Sequence, residues 1–189
     1  MTLRVLRAHN PLKPFEPLAP SSARAQRSEQ PLLTPPMTSH QLSAIHKLFR
    51  SRQNIFTSSL LRQHGYVYKV AFGCSLPDIK DLAQMVKDML SDAESPLFGL
   101  DITDVAEALW AEDDIRESKM LAPLLYPRGT MTVETAERWA QTIPTPEVAD
   151  VVSMYAFQFG IGQELIERWM DAESKMMRYC ARSLKKRLS

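Results

Sequence analysis

The sequence predicts an all-α fold of tandem helix pairs stacked into a curved α-solenoid, on three observations. Trp110, Trp139 and Trp169 recur at intervals of 29 and 30 residues. Their flanks recur with them: Glu137-Arg138-Trp139 returns as Glu167-Arg168-Trp169, and Glu107-Ala108-Leu109-Trp110 is a looser copy. From Met37 onward apolar residues fall at three- and four-residue steps, and no stretch alternates as a half-buried strand does. A period near 30 residues marks a stacked supersecondary unit that buries one face against its neighbours.

Taken in order, residues 1–36 stand apart as a Pro-rich extension. They hold seven of the thirteen prolines, and Pro11, Pro14, Pro17 and Pro20 recur every third residue. Proline lacks an N–H and fixes φ, so this stretch reads as a disordered tail of polyproline II character. Met37 stands at the onset of helical pattern and is an alternative start for the chain. The repeat domain is therefore drawn as 37–189.

Its first helical region carries Leu42, Ile45, Leu48 and Phe49, then Ile55, Leu60 and Leu61, and ends at Gly65. Residues 66–76 read as an ordered loop packed by its aromatics. Ser75 caps the next helix, with Pro77 in its first turn and Ile79, Leu82, Met85, Val86 and Leu90 inward. Asp101 or Thr103 starts a helix ending near Trp110. Asp113 and Asp114 are placed to cap the following one, which Pro123 should kink or end. Thr132 opens the helix of Trp139. Thr145 caps another, with Pro146 at its first position and Gly160 at its end. Segments 163–171 and 174–188 form the last pair.

Composition excludes several classes. Hydrophobic residues make up 44% of the chain, but no apolar run nears the ~18–20 residues of a membrane span. Cys74 and Cys180 form no CxxC, which points to a reducing, cytoplasmic setting rather than a disulfide framework. His9, His40, His46 and His64 are scattered without metal-ligand spacing, so neither metal nor cofactor is expected. The net charge of +1 names no partner, but its distribution is uneven. From 92 to 117 nine acids face one base, and from 175 to 189 there are six bases and no acid. Such asymmetry suits an anionic partner or two solvated helix faces.

Counting from the tryptophans sharpens this. Trp+6 and Trp+9 are Arg116 and Lys119 in the first copy and Lys175 and Arg178 in the last, and Arg182 and Lys185 extend the second row. Residues three and four apart share a helix stripe, so second helices lining one concave surface would join these bases into a strip. The middle pair offers Asp150 instead. By itself, a carboxylate in the first turn of a helix needs no function, since it favours the helix dipole by ~0.3–1 kcal/mol.

Residues 68–188 resemble the AlkD-like DNA alkylation-repair proteins, which are HEAT-like repeat DNA glycosylases. The resemblance rests on Tyr68-Lys69-Val70-Ala71-Phe72-Gly73 before Leu76-Pro77, on Leu109-Trp110 with Glu112, Ile115-Arg116-Glu117 and Lys119–Ala122, and on Glu137–Ala140 running into Ile143–Glu147. It implies HEAT-like pairs that hold duplex DNA in a basic concave groove, with Arg116, Lys119, Lys175, Arg178, Arg182 and Lys185 as DNA-binding residues. It also implies hydrolysis of the N-glycosidic bond of cationic alkylated bases, with Asp150 at the catalytic carboxylate's position. The family's two lesion-facing tryptophans fall at Pro146 and Met176, so the aromatic surface is not kept. A non-catalytic DNA binder and a protein-interaction scaffold, the latter using the acidic stretch, are the alternatives.

Overall fold

The computed structural model describes residues 37–63 and 68–189. The proline-rich extension and Gly65 lie outside them. Among the described residues every regular element is helical, and the one extended feature is an isolated parallel bridge between Val70 and Ile115.

Helix α1 (Ser39–Ser51) opens on a reciprocal capping box of Thr38 and Gln41, and buries Ile45 and Phe49. Helix α2 (Ile55–Gln63) departs from the expected inward row. Its buried residue is Ser58, while Ile55 and Phe56 are 72% and 78% exposed. The cause is the backbone of Gly73, which crosses beneath it with φ +79°. A Cβ on Gly73 would stand 2.3 Å from the Asn54 carbonyl oxygen and 2.8 Å from the Ser58 amide nitrogen. That approach admits only a small side chain on the inner side of α2 and only glycine opposite it.

Helix α3 (Leu76–Ser91) begins as expected, with a Ser75–Asp78 capping box and Pro77 in its first turn. Its inward stripe is Ile79, Leu82, Ala83 and Val86, and Met85 is exposed instead. Helix α4 (Ile102–Trp110) is capped by Asp101. Helix α5 (Arg116–Leu125) corrects one expectation. Neither Asp113 nor Asp114 caps it, since Ile115 is its N-cap and offers no side-chain bond. The loop before α3 supplies partners there instead, as Arg116 N–H donates to the Val70 carbonyl and Val70 N–H to that of Asp114. Pro123 lies in the last turn of the helix, which ends two residues later at Leu125. So near the C-terminus, the missing N–H forfeits one backbone bond.

Helices α6 (Val133–Gln141) and α7 (Pro146–Val152) start at Thr132 and Thr145 as the caps predict. A π-helical turn, Ser153–Phe157, then prolongs α7. Helices α8 (Gly162–Trp169) and α9 (Lys175–Leu188) complete the chain.

The helices α4–α5 and α8–α9 pack as hairpins. Helix α5 packs between α3 and α7, and α7 with its π turn packs on α9. Helices α4, α6 and α8 are linked by charge. Arg138 grips Glu107 with two bonds of 2.9 Å, and Arg168 reaches Glu137 at 3.4 Å. The recurrent Glu-Arg-Trp triplet thus has a physical reading: each arginine reaches back to a glutamate about one period earlier. The tryptophans are core. Trp110 and Trp139 stack at 4.2 Å with planes 2° apart, and Trp169 meets Phe157 edge to face at 5.4 Å. Among the described residues no helix is long and apolar enough to cross a membrane.

Candidate functional site

Asp150 sits one turn into α7. Its neighbours Val148, Ala149, Val151 and Val152 are buried, which leaves Asp150 half-buried at the helix surface. The π turn follows at once. An extra residue per turn shifts the register of what comes after. Met154, four residues after Asp150 and so on the same side of the helix, lines the same cleft, while Ser153 is buried.

Helix α9 forms the facing wall. The Tyr179 hydroxyl donates to Asp150 Oδ2 and the Ser183 hydroxyl to Oδ1, each at 3.0 Å. Arg187 Nε donates in turn to Ser183 Oγ at 3.4 Å. A carboxylate offers about four lone-pair sites, so each oxygen keeps accepting capacity towards the cleft. The bond to Asp150 raises the Tyr179 pKa, helped by burial and by the carboxylate's charge, which keeps the phenol a donor. The cleft measures about 690 Å³ and is completed by Arg182, Lys186 and Arg187. Its chemistry is one oriented carboxylate beside three cations, all three cations on one wall.

The structure divides the predicted basic residues sharply. Arg116 and Lys119 do not belong to an open strip. Arg116 is 4% exposed and bonded to Glu117, Glu147 and the Cys74 carbonyl. Burial opposes its charge, but the bonds and charges of Glu147 and Glu117 outweigh this and raise its pKa. Lys119 is 1% exposed, bonded to the Trp110 carbonyl and to Asp113, with its ammonium 4.6 Å from the Trp110 ring centroid. Neither can reach a phosphate, because both are enclosed by their own partners. Arg178 is half-buried and donates to the Ala172 and Glu173 carbonyls of the α8–α9 turn, the latter at 2.8 Å. Lys175 and Lys185 are exposed but do not line the cleft. Arg182 alone of the six joins Asp150 there.

Tyr179, Ser183, Lys186, Arg187 and Met154 went unselected from sequence. The first four were legible in part, since 179, 183, 186 and 187 share a helix face. The face chosen from the repeat period lay one residue round from it.

Several acids of the 92–117 stretch are engaged by neighbouring side chains and amides. Glu112 accepts from Ser118 at 2.7 Å and contacts His46 at 3.0 Å. Glu117 is fully buried and receives the amides of Phe72, Gly73 and Cys74. Asp113 pairs with Lys119, and Asp114 with Lys69. The cysteines offer no nucleophile, as burial pushes the thiols of Cys74 and Cys180 up to about 12.

Comparison of the chain with protein-family models, with curated proteins and with solved structures finds no match.

Proposed function

We propose that this chain binds duplex DNA in the manner of the AlkD-like repair proteins it resembles, with its helix pairs acting as HEAT-like repeats. The observation that carries the reading is the cleft of Asp150 bordered by Arg182, Lys186 and Arg187. None of Lys186, Arg182 or Arg187 has an acidic partner within ion-pair distance among the described residues. Unpaired cations on one helix face are what a phosphate backbone engages.

If the bound base is a cationic alkylpurine, it departs without a general acid. The sugar left behind carries positive charge, and a fixed anion beside it stabilises that transition state. Asp150, oriented by two hydroxyls, would be that anion. A second, non-catalytic reading is favoured by Pro146 and Met176, which cannot offer the cation–π surface of the tryptophans they replace.

Two measurements separate these readings. Duplex binding should weaken with salt, with a log–log slope of roughly −0.9 per phosphate engaged, and replacing Arg182, Lys186 and Arg187 by alanine should shallow it. A response to salt that is flat in the wild type sinks the DNA reading. Incubation with duplex containing N7-methylguanine at enzyme excess should release the free base, and Asp150→Asn should abolish release. Binding without release leaves the non-catalytic reading.

A further inference from the structure

We infer that Lys87 and Arg128, which line a second cleft beside the π turn, and Lys80, which lies over the Tyr155 ring of that cleft, contact phosphates, and that one DNA duplex lies over this cleft and that of Asp150. The inference rests on the DNA-binding reading and adds to it a surface that the repeat period does not mark.

Met154 and Tyr155 are consecutive residues of the π turn but line different clefts. Met154 lines the Asp150 cleft, and Tyr155 lines another of about 330 Å³ together with Lys87, Tyr126 and Arg128. Consecutive residues of a helix point roughly 100° apart, so the two clefts adjoin along the same segment. Lys80 lies over the Tyr155 ring, 5.8 Å from its centroid, and Arg128 lies over the Phe159 ring at 4.8 Å. A ring in the middle of the π turn and a ring two residues beyond it therefore each hold a cation.

Charge and spacing favour an extended anion. Lys80, Lys87 and Arg128 are exposed, and among the described residues none is ion-paired. Lys80 and Lys87 are seven residues apart on α3 and so share a face, separated by roughly 10 Å of rise, the length of about three nucleotides of one strand. The α3 acids Asp81 and Asp88 are each one residue further on, about 100° round the helix. Asp88 is also bonded to Gln84 at 2.8 Å. Unpaired bases of α3 and the α5–α6 turn on one hand, and of α9 on the other, thus border two clefts that meet at the consecutive residues Met154 and Tyr155. That arrangement suits the two backbones of a duplex better than a single phosphate group.

The test is fluorescence anisotropy with labelled duplex DNA over a range of salt. The triple variant Lys80→Ala, Lys87→Ala, Arg128→Ala should bind at least tenfold more weakly at moderate salt, with its slope shallower by about 2 to 3. The loss should add to that of the α9 triple variant. A charge-keeping set, Lys80→Arg, Lys87→Arg and Arg128→Lys, should retain the wild-type slope. Wild-type binding with an unchanged slope in the alanine triple overturns this inference and leaves the functional reading standing. So does an equal loss in the charge-keeping set, which would assign the effect to packing. No binding by the wild type overturns both.

Discussion

Arg116 and Lys119 stand six and nine residues after Trp110, and Lys175 and Arg178 stand six and nine after Trp169. The same places in the repeat have opposite fates. On α5 both bases are buried and ion-paired, whereas on α9 Lys175 is exposed and Arg178 turns back onto its own loop. The difference lies in what is packed alongside. Helix α5 is held between α3 and α7, and the first turn of α7 brings Glu147 to Arg116. Helix α9 meets α7 on one side, and its bases from Arg182 onward face solvent. A repeat period reports which helix face a residue occupies, and the neighbours decide whether its charge is used inside or offered outside.

The largest effect should follow from breaking the buried centre. Arg116→Met leaves Glu117 at 0% exposure without its cation and removes the grip on Glu147. Removing one partner of a buried pair costs about 3–5 kcal/mol, to be read as a lowered midpoint in urea unfolding. A loss below about 1 kcal/mol would mean that the α5 bases are not structural and would dissolve the contrast with α9.

Lys119→Met should cost less, about 1–3 kcal/mol. Its partner Asp113 has a side chain 73% exposed and returns to water when the ammonium is lost. The Trp110 carbonyl is then the group left without its bond. If Lys119→Met proved as damaging as Arg116→Met in the same unfolding assay, exposure of the partner would not be what separates them.

How far these outcomes could be foreseen follows from the range of the interactions. Thr132, Thr145 and Ser75 announce helix starts because a cap acts within three residues, and the tryptophan period announces the core because each of the three tryptophans is buried. The inverted α2 was not legible, since it depends on Gly73 approaching Asn54 and Ser58 across the loop. Nor was the burial of Arg116, whose partner Glu147 is 31 residues away. The π turn leaves no local mark in Ser153–Phe157, within which Met154 and Tyr155 line different clefts. Asp150 is reached by counting from the tryptophans and gains its catalytic position from the resemblance, whereas its partners Tyr179 and Ser183 depend on the packing of α7 on α9.

On the α9 side, stability and binding should separate. Arg182→Ala, Lys186→Ala and Arg187→Ala together should change unfolding free energy by no more than about 1 kcal/mol, since exposed charges contribute little. The same variant should lose duplex affinity. A large drop in melting temperature would place these residues with Arg116 rather than against it.

The smallest effect isolates the Asp150–Tyr179 bond itself. Tyr179 holds its proton more tightly when folded than when unfolded, first because Asp150 accepts its hydrogen bond. A raised pKa means that the folded state binds more protons above the ordinary tyrosine value of about 10. The contribution to stability is therefore complete below pH 10 and is lost as the pH rises through the folded value. Asp150→Asn removes both the charge and the strongest acceptor, so the Tyr179 pKa should fall back towards that ordinary value. Phenolate absorbance difference spectra, with Tyr179→Phe to assign the step, would follow it among the chain's five tyrosines. A Tyr179 titration that Asp150→Asn does not move would mean that the carboxylate is not oriented by α9, and the cleft would lose the one feature that distinguishes it from a plain basic surface.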